Sequence, residues 1–117
     1  MSAPDIRFTL PVPPSTNNLY VARRDGKGRA KAGAYKAWIE EAGKLMLAQR
    51  VPRDGLKHVR VEVEVPFNYQ RDIDNALKPI LDIAKRMHVI VEDRWVDQIE
   101  VRRVPVGQDL TVSIWRL

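Results

Sequence analysis

The sequence contains no cysteine, which excludes disulfide bonds and metal sites built from thiolate ligands. It also contains no apolar run that approaches the ~20 residues a helix needs to span a bilayer, so we expect no membrane association. The first residues, MSAPD, lack the basic and apolar regions of a secretory signal. These absences are compatible with a reducing compartment, and we expect the protein to be cytoplasmic.

Several common cofactor motifs are missing as well. The sequence has neither a Walker A loop nor the glycine-rich fingerprint of dinucleotide-binding domains. It lacks the glycine and the late glutamate that an EF-hand calcium loop needs at fixed offsets. His58 and His88 are isolated, and Ser15 has no neighbouring histidine. Neither a histidine metal site nor a serine nucleophile is therefore indicated.

Length and composition predict one folded domain over residues 1–117. Hydrophobic residues make up 44% and charged residues 30% of the chain, which is typical of a globular protein. The formal net charge of +5 favours a polyanionic partner, of which nucleic acid is the commonest. Because this charge is modest, a basic protein without such a partner explains it equally well.

Alternation of apolar and polar residues predicts the strands. The clearest strand is 59–65, where valines alternate with charged residues. The same alternation predicts three further strands, at 6–10, at about 96–104 and at 110–115. The basic stretch 23–31 contains glycines and is consistent with a short hairpin.

Two amphipathic helices are predicted between the strands. From Ala34 to about Gln49 the apolar residues recur at the spacing of one helical face. A second apolar stripe runs from Leu77 to Ala84, where Pro79 predicts an irregular first turn because proline cannot donate a backbone hydrogen bond. The order of elements predicts an α+β fold: a single two-layer domain in which a small mixed β-sheet packs against two main α-helices.

Two carboxylates stand close together where the strand at 59–65 gives way to the second helix. Asp72 and Asp74 are two residues apart, so in an extended segment both point the same way and could bind one divalent cation. Lys78 follows one helical turn later, and Asp93 returns from the far end of the helix, where it could complete the site. These residues indicate metal-bound phosphate chemistry.

A structural interpretation of the same residues stays open. An Asp-x-Asp-Asn segment before a helix is ordinary turn and capping chemistry, with Asp74 or Asn75 as the N-cap. Asp74 and Lys78 would then form a common i,i+4 ion pair, which stabilises a helix by about 0.2–0.5 kcal/mol. The local pattern alone does not decide between a capped helix start and a metal site.

A second group of residues has the character of a nucleic-acid contact surface. Its members are basic or aromatic and lie in predicted loops: Arg23, Arg24, Lys27, Arg29, Lys31, Tyr69 and Arg71. The dense positive charge between 23 and 31 indicates contacts to DNA phosphates, although such a stretch is more often a solvated loop. Tyr69 lies in a polar loop, where an exposed ring could stack on a base; a loop aromatic without that role is the equal alternative.

The chain resembles the RusA family of Holliday junction resolvases over nearly its full length. Residues 10–17, LPVPPSTN, are similar to the family's N-terminal Leu-Pro-x-Pro-Pro-Ser-x-Asn stretch. The segment RDIDN at 71–75, with Lys78, Asp82 and the helix between them, resembles the family's Asp-x-Asp-Asn signature. Glu92 and Asp93 stand where the family usually has an Asp-Asp pair.

The resemblance implies a homodimeric endodeoxyribonuclease that requires Mg²⁺ or Mn²⁺ and resolves four-way junction DNA by paired symmetric nicks in recombination and repair. It implies that Asp72, Asp74 and Asp93 are the catalytic, metal-binding carboxylates and that Lys78 is essential. Two alternatives remain. One is a non-catalytic basic DNA-binding module whose acids only cap a helix, and the other is a nuclease that acts on flaps or forks.

Overall fold

A computed structural model describes residues 2–14, 20–23, 25–26 and 29–117, without the side chains of Tyr20, Val21, Arg29 and Ala30. In chain order its elements are β1 (Ile6–Leu10), β2 (Tyr20–Ala22), β3 (Arg29–Lys31), α1 (Gly33–Ala48), β4 (Val59–Val65), α2 (Leu77–Arg86), β5 (Val96–Arg103) and β6 (Leu110–Arg116). One-turn 3₁₀ helices at Ile73–Ala76 and Asp93–Trp95 precede α2 and β5.

Four of the strands form a mixed sheet in the order β1-β6-β4-β5. β6 is antiparallel to both β1 and β4, whereas β5 is parallel to β4. The parallel register pairs Val59 with Val96 and Val65 with Arg103, so the two strands begin and end at the same edges of the sheet. Parallel neighbours need a crossover connection, and α2 lies in it. β2 and β3 form a separate antiparallel hairpin.

One face of the sheet carries the hydrophobic core. The alternate valines of β4 are buried, and β1 shows the same alternation of buried and exposed residues. They pack with the apolar stripes of both helices, in which Tyr35, Trp38, Ile80 and Ile83 are buried. A strand of a sheet whose core lies on one face needs only one apolar residue in two, which is why alternation predicted these strands.

The predicted elements are confirmed with small shifts at their ends. α1 begins at Gly33, one residue earlier than predicted, and β5 and β6 occupy Val96–Arg103 and Leu110–Arg116. β2 and β3 pair as an antiparallel hairpin, of which the basic stretch supplies the second strand, Arg29–Lys31. The α+β class, with a mixed sheet and two main helices, is confirmed. Within the described ranges no helix has the length and apolar character needed to cross a membrane.

The start of α2 differs from the prediction in a way that Pro79 explains. Neither Asp74 nor Asn75 is the N-cap, because both lie inside the 3₁₀ helix Ile73–Ala76 and α2 begins at Leu77. Pro79 therefore falls in the first turn of α2, where a missing backbone N–H leaves no helical hydrogen bond unmade. The irregular start predicted from Pro79 is confirmed, and it takes the form of this 3₁₀ helix.

Candidate metal and phosphate site

Asp72 and Asp74, the two predicted metal-binding carboxylates, lie in a turn between β4 and α2. We call residues 72–76 the acidic turn. Asp72 occupies the N-cap position of the 3₁₀ helix with extended backbone (φ −59°, ψ 138°), and Asp74 lies in the first turn. The Asn75 backbone N–H closes the turn by donating to the Asp72 carbonyl oxygen at 3.0 Å. Both carboxylates are exposed, so the amino end of α2 presents two negative charges to solvent.

Within the part of the chain that the structure describes, neither carboxylate has a neutralising partner. No hydrogen bond or ion pair reaches either side chain from those residues, and Asp72 makes no side-chain cap hydrogen bond. Asp74 is therefore not the predicted N-cap, and Asp72 occupies the N-cap position of the 3₁₀ helix without capping it through its side chain. Lys78 Nζ lies 3.8 Å from the Asp82 carboxylate, with which it forms an i,i+4 ion pair. Partial positive charge on the free N–H groups of a helix start offsets part of the repulsion between the acids.

Arg103, at the carboxyl end of β5, holds the loop that leads into the acidic turn. Its guanidinium donates from Nη1 to the backbone carbonyl of Tyr69 and from Nη2 to that of Arg71, the latter at 3.1 Å. Because β4 and β5 end at the same edge of the sheet, this contact ties the loop to the edge from which it emerges. The position of Asp72 thus depends on a residue of a neighbouring strand.

Tyr69 is buried, so the expectation of an exposed ring that stacks on a base is wrong. Only 4% of the residue is exposed, because the loop turns back after Pro66 and the Tyr69 N–H donates to the Pro66 carbonyl at 3.0 Å. The Tyr69 hydroxyl is buried and has no hydrogen-bond partner among the described residues. Burial raises the pKa of this hydroxyl; the positive charge of Arg71 opposes the rise and the Asp74 carboxylate adds to it.

An ion-pair network runs along α2 from Lys78 to Asp93. Asp82 is its centre: Oδ2 lies 3.8 Å from Lys78 Nζ and accepts a 2.5 Å hydrogen bond from the Tyr35 hydroxyl. Asp82 Oδ1 lies 3.8 Å from Lys85 Nζ, which is also 3.3 Å from Asp93. The Asp82 side chain is only 17% exposed. Two predicted catalytic residues, Lys78 and Asp93, are therefore connected through a half-buried acid that the α1 tyrosine holds in place.

The structure does not gather the three predicted metal-binding carboxylates into one cluster. Asp93 lies just before the amino end of β5, whereas Asp72 and Asp74 follow the carboxyl end of β4. Since these strands are parallel and in register, Asp72 and Asp74 lie beyond one end of the strand pair and Asp93 lies beyond the other. In the described ranges, no group of three or more His, Cys, Asp or Glu side chains could hold a metal ion. The metal-ligand role of these three residues stays a prediction.

The segment before β5 forms a cluster of cations around an aromatic ring. The Trp95 ring lies 5.1 Å from Lys57 Nζ and 5.1 Å from the Arg94 guanidinium carbon. The ring of His58 meets it edge-on at 4.8 Å. Glu92, which replaces the first Asp of the usual pair, forms a 3.1 Å ion pair with Arg94. Glu92 thus neutralises a neighbouring cation in this structure.

Of the five hairpin residues predicted to contact DNA, the structure describes the side chains of Arg23 and Lys31. Arg24 and Lys27 lie outside the described residues, and of Arg29 only the backbone within β3 is described. Arg23 donates to Asp25 in a 2.8 Å ion pair. This pair is exposed on both sides, so it holds Arg23 only weakly.

Of the predicted DNA contacts whose side chains the structure describes, Lys31 and Arg71 are exposed and form no ion pair with a described residue. Arg71 precedes the acidic turn directly and lines a cavity of about 390 Å³ with Tyr69, Asn68 and Gln108. Lys31 ends β3 and lines two cavities against α1 and α2. Both cations are placed to meet an anionic ligand.

Sequence reasoning missed two residues that position this site, Tyr35 and Arg103, and it included Asp82 in the family signature without assigning it a role. The spacing of Asp82, four residues after Lys78 and three before Lys85, was a signal that could have found the charged face of α2. No local signal could have found the other two. The Tyr35 hydroxyl reaches a residue 47 positions away, and Arg103 reaches carbonyl groups more than 30 positions away.

The oxygen donors of the acidic turn suit a hard divalent cation. Mg²⁺ in nucleotide and polymerase sites is held by one or two carboxylates, while waters and substrate phosphates complete its octahedron. Asp72 and Asp74 supply two exposed carboxylates that no described residue engages. An ion that prefers thiolates finds no ligand in this chain, which has no cysteine.

Comparison with known proteins matches most of the chain. The family model described as endodeoxyribonuclease RusA matches residues 11–114. The chain is 30% identical to the crossover junction endodeoxyribonuclease RusA of Escherichia coli O139:H28, over 94% of this chain and 93% of that protein. It is 29% identical to the crossover junction endodeoxyribonucleases of enterobacteria phage HK97 (89% of each chain) and phage 82 (91% and 92%). The matched region includes the acidic turn and the ion-pair network.

Proposed function

The chain belongs to the RusA family of endodeoxyribonucleases, and we propose on that basis that it cleaves four-way DNA junctions in a reaction that requires Mg²⁺ or Mn²⁺. Its curated relatives are named crossover junction endodeoxyribonucleases. The proposed reaction hydrolyses one phosphodiester bond in each of two strands. One observation carries the proposal: the acidic turn, with two exposed carboxylates that no described residue neutralises, lies inside the region that the family model matches.

The proposed roles follow from the positions of the side chains. Asp72 and Asp74 would hold the divalent cation through their carboxylate oxygens. When bound, such a cation supplies an activated water and polarises a phosphate oxygen. The amino end of α2, with its free backbone N–H groups, is a favourable place for the negatively charged phosphate.

Lys78 would stabilise the negative charge that develops on the phosphate. Its ion pair with Asp82 is long, at 3.8 Å, and more than half of its side chain is exposed. A lysine on a flexible stem in such a pair can turn towards a phosphate oxygen. Asp82 would keep the Lys78 ammonium near the site when DNA is absent. Asp93 is the proposed third carboxylate, and in this structure it forms an ion pair with Lys85.

Paired nicks across a junction require two catalytic sites. We therefore include in the proposal a homodimer with one site in each protomer, related by a two-fold axis. Light scattering at micromolar concentration tests this part separately. A mass twice that of the 13.4 kDa chain is expected, and a monomer that still makes paired nicks would contradict it.

The proposed function is tested with an end-labelled four-way junction in Mg²⁺. We expect symmetric nicks from the native protein and at least ~100-fold slower nicking by Asp74→Asn, since loss of a metal ligand exceeds the 10–100-fold cost of a disturbed outer shell. Asp54→Asn is the matched control, because Asp54 is exposed and distant in sequence from the acidic turn.

Four outcomes would contradict the proposal. No nicking by the native protein, or equal nicking by Asp74→Asn, would remove the catalytic role of the acidic turn. Junction binding without nicking and without metal binding, as measured by calorimetry, would favour a non-catalytic DNA-binding module. Faster cleavage of flaps or forks than of four-way junctions would assign the enzyme to those substrates.

A further inference from the structure

A cleft lined by basic residues lies between the hairpin and the two helices. Its cations are Lys31 at the end of β3, Lys36 in the first turn of α1, and Lys85 and Arg86 in the last turn of α2. Two adjoining cavities of about 240 and 300 Å³ fill the cleft and share Lys31, Ile39 and Arg86 in their walls. We call this region the basic cleft.

The basic cleft carries more positive than negative charge. Its acids are Glu40 and Asp82, and the ion-pair network along α2 already engages Asp82. Lys31, Lys36 and Arg86 form no ion pair with any residue that the structure describes. Three exposed cations from three separate elements therefore face one space. Their mutual repulsion is relieved by an anion that can contact several of them at once.

We propose that the basic cleft binds the phosphodiester backbone of one arm of the DNA substrate; this inference rests on the proposed function. Lysine and arginine contacts to phosphate oxygens position a protein on DNA without reading its sequence. Lys85 connects the cleft to Asp93, the predicted catalytic residue just before β5, because its Nζ lies 3.3 Å from that carboxylate. A strand held in the cleft passes this predicted catalytic residue. The DNA footprint thus extends beyond the hairpin to Lys36, Lys85 and Arg86.

The dependence of DNA binding on salt measures this contact. Each phosphate neutralised by a cation contributes about 0.9 to the slope of log K against log salt concentration on duplex DNA. We expect Lys36→Gln/Arg86→Gln to make the slope shallower by about 2, measured by fluorescence anisotropy on a labelled four-way junction in EDTA, where no cleavage can occur.

The matched control removes two arginines from other surfaces. Arg7 lies on the face of β1 that points away from the helices, and Arg50 follows the carboxyl end of α1, far along the helix from Lys36. Arg7→Gln/Arg50→Gln is expected to keep the native slope. Equal slopes for Lys36→Gln/Arg86→Gln and this control would overturn the basic cleft while leaving the nuclease proposal intact. Failure of the native protein to bind any junction would overturn both.

Discussion

The acids at the amino end of α2 differ from those along the rest of the helix. Asp72 and Asp74 are exposed and have no partner among the described residues. Asp82 is held by two lysines and a tyrosine hydroxyl, and Asp93 is held by Lys85. The unneutralised charge of the acidic turn is therefore local, because the same helix supplies lysines that neutralise the acids farther along.

This difference separates acids that stabilise the fold from acids that are available to a ligand. Two carboxylates without a counter-charge repel each other, and a divalent cation that binds only the folded state relieves the repulsion and stabilises the protein. A half-buried acid with three partners stabilises the fold without a ligand, since removal of any partner destabilises the fold. Four variants test this difference between available and neutralised acids, in order of decreasing expected effect.

The largest effect is expected for Asp72→Asn, which removes half of the charge pair in the acidic turn. Nicking of a four-way junction should fall at least ~100-fold, and Mn²⁺ affinity measured by calorimetry should fall by at least about 10-fold, because a ligand is lost. The free energy of unfolding without metal should be unchanged or higher, since a repulsion is removed. A clear loss of metal-free stability with native Mn²⁺ affinity would show that Asp72 is structural.

Tyr35→Phe tests the neutralised acid, Asp82. Removal of the hydroxyl leaves the half-buried Asp82 carboxylate without its 2.5 Å hydrogen bond. Because hydrogen bonds to charged groups contribute about 1.5–3 kcal/mol, urea unfolding should show a loss of about 2 kcal/mol. Mn²⁺ affinity should stay native. Unchanged stability would mean that the ion-pair network does not need the α1 tyrosine.

Arg103→Met tests how the acidic turn is held in place. The variant keeps the apolar stem but loses both donors to the loop carbonyls, so we expect a loss of about 1–1.5 kcal/mol of stability. Nicking should fall more than stability alone explains, because Asp72 is no longer positioned. Arg94→Met is the control, since Arg94 contacts Trp95 and Glu92 instead of this loop. Equal nicking by both variants would remove the positioning role.

The smallest effect is expected for Tyr69→Phe, the counterpart of Tyr35→Phe at a buried tyrosine without a partner. Its hydroxyl is desolvated and unpaired, so the free energy of unfolding should rise by about 1 kcal/mol. Burial raises the pKa of Tyr69 above its ordinary value of 10.0. The folded state therefore keeps a proton that the unfolded chain loses, and stability falls as the pH rises above about 10.

Tyr69→Phe should remove that part of the alkaline loss of stability, as measured by urea unfolding between about pH 9 and pH 11. A destabilised Tyr69→Phe variant would mean that the hydroxyl finds a partner in solution. The difference between the stability changes of Tyr35→Phe and Tyr69→Phe compares a buried tyrosine hydroxyl that donates to a carboxylate with one that has no described partner.

Local sequence patterns predicted the elements because each pattern reports one buried face. The valines of β4 alternate, the stripe of α1 has helical spacing, and Pro79 predicts a helix start that avoids its missing donor. The acidic turn could be located for the same reason, since Asp72 and Asp74 are neighbours in the chain. These features need no knowledge of distant residues.

Contacts between distant segments could not be predicted in this way. Tyr69 has polar neighbours in sequence, yet the loop turns back on the sheet and buries it. The sequence predicts that Asp93 returns to the acidic turn from the far end of the helix, but the parallel register of β4 and β5 places Asp93 and the acidic turn at opposite ends of these strands. Strand order and register arise from the whole sheet, and no local pattern carries them.

The most direct test of a metal-binding acidic turn is Mn²⁺-induced broadening of backbone amide signals in ¹⁵N-labelled protein. We expect the amides of Ile73, Asp74 and Asn75 to broaden at the lowest Mn²⁺ concentrations, before those around Asp82, and to recover when excess Mg²⁺ is added. Broadening that begins around Asp82 and leaves the acidic turn sharp, or that Mg²⁺ does not reverse, would contradict a divalent-cation site at the amino end of α2.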